Sequence, residues 1–295
     1  MPIRAVACDL DGTLLRSDGT LDPRTRAALG MLPAAGILLV ICTARPARWL
    51  RPLVEAIGQG GVAVCANGAI VWDLHRQVAL DARLLAPRAA AEVVARLGSR
   101  IPGAAWAVEW VDGYGREPGY VSRWPNPAGT IVNEIQALLS EPLAKLMLRH
   151  DRLGADALVT IARELVDGLA EPCHSNSADG LLELSAAGVS KASALASLCA
   201  QRGIDSADVV AFGDMPNDLP MLRWAGHAVA VANAHPDVLV TADEITASND
   251  AAGVAIVLER MLAAGAGGAP IGAGGRPAGE PRRLCEGTGP AARPL

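Results

Sequence analysis

Short apolar runs of strand length alternate with amphipathic stretches of helix length in the first 83 residues. The run IRAVACD predicts a buried strand, DPRTRAALGMLPAAG predicts a helix with Pro23 in its first turn, and ILLVICTA predicts a second strand. The same alternation returns after about residue 180. This rhythm is typical of a parallel sheet covered by helices. The sequence therefore predicts an α/β fold with a Rossmann-like parallel-sheet core and helices on both faces.

The middle of the chain differs from the rest in composition and in its pattern of predicted elements. Segment 84–180 holds both tyrosines, three of the six tryptophans and a long Gly- and Pro-rich loop between predicted helices and strands. We interpret it as an inserted α+β domain, and we expect 1–83 and 181–264 to form one core domain. From 265 to 295 the chain is rich in Gly, Pro and Arg, and such a composition buries too little apolar surface to fold. We expect this tail to be disordered.

Composition and charge narrow the range of partners. The chain has 295 residues, 51% of them hydrophobic, a net charge of −5 and no long basic run. This balance argues against nucleic acid or an anionic membrane surface as a partner. We see no signal peptide and no apolar run long enough to span a bilayer, so we expect a cytoplasmic protein. The pattern does not indicate an oligomeric state.

Two carboxylates end the first predicted strand. Asp9 and Asp11 lie at positions i and i+2, which point to the same side of an extended backbone. The carboxyl end of a buried strand is where α/β sheets bind ligands. Repulsion between the two carboxylates is relieved either when one is protonated or when a divalent cation binds both. The ordinary alternative is a turn at Asp11-Gly12, with Asp9 as a cap.

Further polar residues follow at other predicted strand or helix ends. Thr43 ends the second strand, Lys191 opens a helix, and Asp214 ends a strand just before Asn217 and Asp218. Each has an ordinary explanation on its own, as a local cap, a solvated lysine or a favourable helix start. Together, hard oxygen ligands suit Mg²⁺, while a hydroxyl and an ammonium suit phosphoryl oxygens.

The lysine is unusual in this chain. Of the 26 basic residues only Lys145 and Lys191 are lysines, and all the others are arginines. An ammonium in the first turn of a helix opposes the helix dipole, which makes position 191 locally unfavourable for a lysine. A compact ammonium fits between carboxylates and a phosphate where a planar guanidinium does not.

Four segments, in this order and spacing, resemble the haloacid dehalogenase superfamily of phosphatases, and within it the Cof-type branch. They are DLDGTLL, VICTAR, GVSKASAL and AFGDMPNDLPML, and the resemblance extends over about residues 3–262. One position departs from the family pattern, because Ala44 stands where the second motif usually has glycine. If that glycine needs a positive φ, the loop must shift slightly.

The resemblance implies a role for each matching residue. Asp9 would be the nucleophile that forms an aspartyl-phosphate, and Asp11 the general acid and base. Thr43 and Lys191 would hold the phosphoryl group, and Lys191 would also orient Asp9. Asn217 would help to position the phosphate or Lys191. The resemblance implies Mg²⁺ as the cofactor. Its ligands would be Asp9, the backbone carbonyl oxygen of Asp11, Asp214 and, through water, Asp218.

The resemblance also implies that the inserted segment is a mobile cap domain that contacts the substrate. The candidate residues for these contacts lie in and beside its loop: Glu109, Tyr114, Arg116, Glu117 and Tyr120. The expected activity is Mg²⁺-dependent hydrolysis of a small phosphorylated metabolite, such as a sugar phosphate or a phosphorylated cofactor or its precursor. The alternatives are a phosphomutase of the phosphomannomutase type and a non-catalytic phosphate-binding module.

Overall fold

The computed structural model describes residues 3–57, 61–174 and 180–266, which form two sheets with their helices. Within these ranges the strands are β1 (Ala5–Asp9), β2 (Leu38–Cys42), β3 (Val62–Cys65), β4 (Ile70–Asp73), β5 (Val78–Ala82), β6 (Ala105–Glu109), β7 (Tyr114–Arg116), β8 (Ile131–Val132), β9 (Lys145–Arg149), β10 (Ala170–Cys173), β11 (Leu181–Ala186), β12 (Val209–Gly213), β13 (His227–Val231) and β14 (Glu244–Thr246). The α-helices are α1 (Pro23–Met31), α2 (Arg51–Ile57), α3 (Pro87–Arg100), α4 (Ile135–Leu138), α5 (Ala155–Leu165), α6 (Lys191–Gln201), α7 (Leu219–Trp224), α8 (Pro236–Thr241) and α9 (Gly253–Ala266).

The larger sheet confirms the predicted α/β core. Its strand order is β14-β13-β12-β1-β2-β3-β4-β5, and it is parallel from β14 to β3. Strands β4 and β5 extend one edge in antiparallel fashion. Every residue of β1 is buried, and because alternate side chains point to opposite faces, both faces of the sheet are covered. Helix α1 packs against α9, and α6 packs against α7.

The position of β1 decides where the polar residues meet. It lies between β2 and β12, with Asp9 beside Cys42 and Cys8 beside Phe212. Because the three strands are parallel, their carboxyl ends lie side by side at one edge of the sheet.

The smaller sheet has the order β10-β11-β9-β6-β7-β8 and is mostly antiparallel. We expected the core to resume at residue 181, but β11 (Leu181–Ala186) pairs with β9 and β10 in this sheet. Leu182 and Leu184 pack into the apolar core that belongs to this sheet. We therefore propose that the inserted domain extends to Ala186.

The expected tail lies almost wholly outside the described residues. Only 265 and 266 are described, and both belong to the last turn of α9. Among the described residues, no helix has both the length and the apolarity that a bilayer crossing requires.

Candidate active site

Three buried carboxylates meet at the carboxyl ends of the central strands. Asp9 is the last residue of β1, Asp214 directly follows β12, and Asp218 lies one short turn later. One oxygen of each carboxylate lies within 4.8 Å of the others. The predicted convergence of Asp9, Asp214 and Asp218 is therefore present in the structure.

Lys191 lies inside this cluster and joins two of its members. Its Nζ donates to Asp9 Oδ1 and, at 2.7 Å, to Asp218 Oδ1. Its side chain is only 1% exposed, although it begins helix α6. The lysine at this unfavourable helical position is therefore held by two buried carboxylates.

Further hydrogen bonds orient the carboxylates of Asp218 and Asp214. Asp218 Oδ2 accepts from the backbone N–H groups of Asp214, at 3.1 Å, and Met215, at 3.0 Å. Asp214 Oδ1 accepts from the Thr13 hydroxyl at 2.7 Å. Each carboxylate is thus oriented before any ligand arrives, which is the condition for an ordered metal site.

The charges in the cluster do not balance, because three carboxylates face a single ammonium. Burial, together with the charge of Asp218, raises the pKa of Asp214 to about 7. Burial also raises the pKa of Asp9, and the ammonium of Lys191 offsets only part of this shift. Burial alone lowers the pKa of Lys191, but Asp218 and Asp9 outweigh it and the net shift is upward. A buried group of hard oxygen ligands with surplus negative charge fits a divalent cation such as Mg²⁺.

Gly12 allows the loop after β1 to pass close to this cluster. Its φ is +81°, and a Cβ at this position would lie 2.4 Å from Asp214 Oδ2. We expect Gly12→Ala to displace the Asp214 carboxylate and to lower activity by at least about tenfold, because catalytic geometry tolerates errors well below 1 Å. Gly19→Ala is the matched control, since Gly19 also has φ +81° but nothing within 4 Å of its Cβ position. Equal losses of activity in the two variants would show that backbone strain alone is responsible.

Thr43 lies where the second predicted strand ends, and it is buried. Its Oγ1 accepts from the Arg45 backbone N–H at 3.0 Å, so the hydroxyl proton is free to be donated to an anion. Ala44 is not among the residues with positive φ. The departure from the family's glycine therefore imposes no left-handed strain at this position.

Asp11 is placed differently from Asp9. Its side chain is 55% exposed, and Arg45 donates to both carboxylate oxygens, at 2.8 and 2.5 Å. Only its backbone remains a candidate metal contact here, since the carboxylate is outside the three-residue cluster. Sequence reasoning did not identify Arg45 as the partner of Asp11.

Asn217 is buried, and its amide points to Asn67 rather than freely into the site. Its Nδ2 donates to Asn67 Oδ1 at 3.1 Å, while its own Oδ1 has no partner. The unpartnered atom is an acceptor, whereas a phosphoryl oxygen needs a donor. The second hydrogen of Nδ2, which the bond to Asn67 does not use, is the donor that Asn217 can offer to a phosphoryl oxygen.

The two domains meet at a polar contact that sequence reasoning missed. Lys145 of β9 donates to Glu183 of β11 and, at 2.7 Å, to the backbone carbonyl of Ala44 in the core. Asn67 of the core donates to Glu183 Oε2 at 3.3 Å. Lys145 and Glu183 are both buried. The signal available in the sequence was the scarcity of lysine, which singled out Lys145 as clearly as Lys191.

A cavity of about 240 Å³ extends from the carboxylates between the two domains. The core contributes Asp9, Asp11, Arg45, Arg48, Trp49 and Asn217, among others. The inserted domain contributes Glu109, Tyr114, Tyr120, Arg123, Trp124, Lys145, Arg149 and Glu183, among others. Glu109 accepts from Arg48 Nη2 at 3.0 Å, so this pair also bridges the domains.

Two of the five expected substrate contacts are not part of this cavity lining. Arg116 donates to three backbone carbonyls of its own loop, those of Glu117, Pro118 and Tyr120. Glu117 accepts from the backbone N–H groups of Trp106 and Ile135. Both side chains hold the Gly-rich loop in shape, which argues against a direct contact with the substrate, whereas Glu109, Tyr114 and Tyr120 line the cavity.

Comparison with known proteins agrees with this geometry. A family model described as haloacid dehalogenase-like hydrolase matches residues 6–258. The chain is 29% identical over 261 residues to the pyridoxal phosphate phosphatase YbhA of Escherichia coli K12, covering 84% of this chain and 95% of that protein. It is 28% identical to the 5-amino-6-(5-phospho-D-ribitylamino)uracil phosphatase YcsE of Bacillus subtilis 168, covering 88% and 96%. A solved haloacid dehalogenase-like hydrolase from Bacteroides thetaiotaomicron superposes with a TM-score of 0.71 at 27% identity, covering 88% of this chain and 99% of that one.

Proposed function

Because this chain belongs to the haloacid dehalogenase-like hydrolases, we propose that it is a Mg²⁺-dependent phosphomonoesterase that acts through an aspartyl-phosphate on Asp9. The observation that carries the proposal is the contact of Lys191 with Asp9 inside a buried carboxylate cluster that opens into a cavity. An ammonium at this position favours the ionised, attacking form of the Asp9 carboxylate against the upward pKa shift that burial causes, and it presents a positive charge to a phosphate.

The chemistry proceeds in two displacements at phosphorus. Asp9 forms a bond to phosphorus while the bond to the leaving ester oxygen breaks, and Asp11 donates a proton to that oxygen. Asp11 then takes a proton from water as the water oxygen attacks phosphorus, which releases phosphate and restores Asp9. Thr43 and Lys191 stabilise the charge on the phosphoryl oxygens. Since Arg45 donates to both oxygens of Asp11, the ester oxygen and the water have to compete with Arg45 for this carboxyl group.

We propose Asp9, Asp214 and the backbone carbonyl of Asp11 as the Mg²⁺ ligands, with Asp218 as an indirect ligand. Two observations support this choice. The carboxylates of Asp9, Asp214 and Asp218 converge within 4.8 Å, and all three are buried with only one ammonium among them. When bound, Mg²⁺ would shield the negative charge of the phosphoryl group from the attacking carboxylate.

The volume of the cavity, and the fact that both domains line it, support a small phosphorylated metabolite as the substrate. A space of about 240 Å³ enclosed by residues of two domains suits a small molecule rather than a protein or a polymer. Two similar proteins are named for pyridoxal phosphate and for a phosphorylated ribitylaminouracil. We therefore propose a phosphate ester of similar size.

The phosphomutase alternative needs a second phosphate site in the cavity. Three of the cations that line it are paired with carboxylates, namely Arg45 with Asp11, Arg48 with Glu109 and Lys145 with Glu183. Paired cations offer little net charge to a second phosphate. Because three of the five cations that line the cavity are paired in this way, the arrangement supports hydrolysis more than a mutase reaction.

The first test is phosphate release from a panel of small phosphate esters with Mg²⁺ and after removal of divalent metal by EDTA. We expect release with Mg²⁺ and a decrease of at least about 100-fold with EDTA, because several kcal/mol of charge stabilisation are lost. Activity should return when excess Mg²⁺ is added back. Metal-independent release would contradict the proposed metal site, and no release from any ester would contradict the proposed activity.

A further inference from the structure

Aromatic side chains are rare in this chain but concentrated at the cavity. The sequence contains nine aromatic residues, as six Trp, two Tyr and one Phe, which is 3% of the chain. Four of the nine line the cavity: Trp49, Trp124, Tyr114 and Tyr120. A chain that builds its core from aliphatic residues thus places almost half of its aromatic residues around one ligand-sized space.

These aromatic rings approach one another across the two domains. Trp49 of the core and Trp124 of the inserted domain have ring centroids 6.1 Å apart with an interplanar angle of 71°. Trp124 remains 57% exposed, so it keeps a large apolar surface in contact with solvent. Such a surface in a cavity is a ready contact for the flat face of a ligand.

Guanidinium groups also lie over aromatic rings that line the cavity. Arg48 lies 5.7 Å from the ring centroid of Trp49 and 5.9 Å from that of Tyr114. Arg149 lies 5.9 Å from the ring centroid of Tyr120. Planar cations and planar rings together form a surface on which a heteroaromatic ring stacks.

The carboxylates of the cavity are less suited to recognising a sugar. Recognition of several hydroxyl groups needs several available acceptors, but two of the cavity carboxylates are already engaged: Glu109 is paired with Arg48, and Glu183 accepts from Lys145 and Asn67. A polyol would have to compete with these buried ion pairs, whereas a flat ring would not.

We propose that the leaving group of the substrate is a planar heteroaromatic alcohol, held against Trp49 and Trp124. This inference rests on the proposed phosphatase function and specifies its substrate class. Trp49 and Trp124 are then residues that determine specificity by contacting the leaving group.

The test compares two esters of primary alcohols, pyridoxine 5′-phosphate and glucose 6-phosphate. Because both carry the phosphate on a CH₂–O group, a difference in kcat/KM reports recognition of the leaving group rather than its chemical reactivity. Pyridoxine phosphate has no aldehyde, so it cannot form an imine with Lys145. We expect the protein to favour pyridoxine 5′-phosphate by about tenfold or more.

The variant Trp124→Leu should lower kcat/KM for pyridoxine 5′-phosphate by about 3- to 10-fold, and that for glucose 6-phosphate by less than about twofold. Trp49→Leu should act in the same direction. Trp224→Leu is the matched control, because Trp224 lies in α7 and is not part of the cavity lining. It should leave both values unchanged.

The outcomes separate this inference from the proposed function. Release from glucose 6-phosphate at an equal or higher rate, or equal losses for both esters in Trp124→Leu, would overturn the inference and leave the phosphatase intact. The proposed function fails only if no ester of the wider panel is hydrolysed. If neither of these two esters is hydrolysed, titration calorimetry on the Asp9→Asn variant tests the inference instead. A dissociation constant for pyridoxine 5′-phosphate that is not at least several-fold below that for glucose 6-phosphate would then overturn it.

Discussion

Replacing Asp9 with Asn is expected to lower phosphate release by at least about 10³-fold while the protein stays folded. The amide has nearly the shape of the carboxylate, and its Oδ1 can still accept from Lys191. It lacks the charge and the nucleophilic oxygen that the first displacement requires. A loss of this size without unfolding would identify Asp9 as the attacking group.

Stability measurements distinguish this result from a simple loss of structure. Burial raises the pKa of Asp9 in the folded protein, so the ionised carboxyl costs stability at neutral pH in the absence of metal. An amide at this position removes that cost. In EDTA, we expect the melting temperature of Asp9→Asn to equal or exceed that of the unsubstituted protein.

The control for this experiment is Asp237→Asn, because the Asp237 side chain is 70% exposed and lies in the first turn of α8. It should retain full activity. If Asp9→Asn keeps more than about a tenth of the activity in a preparation free of other phosphatases, Asp9 is not the nucleophile.

The catalytic core could be predicted from sequence because its residues mark strand and helix ends. Asp9 and Asp214 each follow an apolar strand run, and the parallel order of those strands forces their carboxylates to meet. Lys191 was found because an ammonium in the first turn of a helix is unfavourable unless something nearby holds it. The structure supplies the reason in the two carboxylates that it contacts.

The interface between the domains could not be predicted in the same way. Lys145 and Glu183 are 38 positions apart, and Asn67 lies a further 78 positions before Lys145. Local periodicity carries no information about such pairs, since they exist only after both sheets have formed. The boundary that we propose at Ala186 differs from the predicted one at 181 for a related reason. A strand such as β11 shows the same short apolar pattern whichever sheet it joins.

Four of the candidate substrate contacts lie in the Gly-rich loop, and two of them line the cavity. Tyr114 and Tyr120 reach the cavity, whereas Arg116 and Glu117 turn back to the loop backbone. A Gly-rich loop leaves many backbone groups without regular partners, and long polar side chains within it are recruited to satisfy them. The sequence alone does not distinguish a side chain that bonds to the backbone of its own loop from one that contacts a ligand.

Replacing Lys191 with Met is expected to lower both activity and stability. The variant loses the charge that favours the ionised form of Asp9 and faces the phosphate, so phosphate release should decrease by about 10²- to 10³-fold even with saturating Mg²⁺. In metal-free buffer the free energy of unfolding should decrease by about 3–5 kcal/mol, the usual cost of removing one partner from a buried ion pair. Urea unfolding in EDTA measures this loss.

Both Mg²⁺ and pH should change the loss of stability in Lys191→Met, each in a defined direction. Millimolar Mg²⁺ should restore part of the stability, because a cation that binds only the folded chain stabilises it. Lowering the pH towards 6 should also reduce the difference in unfolding free energy between Lys191→Met and the unsubstituted protein. Burial raises the folded-state pKa values of Asp9 and of Asp214, the latter to about 7, so the folded protein binds protons that the unfolded chain has already lost. Stability therefore falls as pH rises between about 4 and 7, and it falls further when no ammonium offsets the charge.

The double variant Lys191→Met/Asp218→Asn completes the argument. Asp218 contacts Lys191 at 2.7 Å, and its side chain is fully buried, so its uncompensated charge is a large part of the cost of losing Lys191. Neutralising it should recover at least about half of the lost unfolding free energy without restoring phosphate release. If stability does not recover, the damage lies in packing around α6 rather than in charge. If activity recovers with it, Lys191 is a structural residue and not part of the catalytic site.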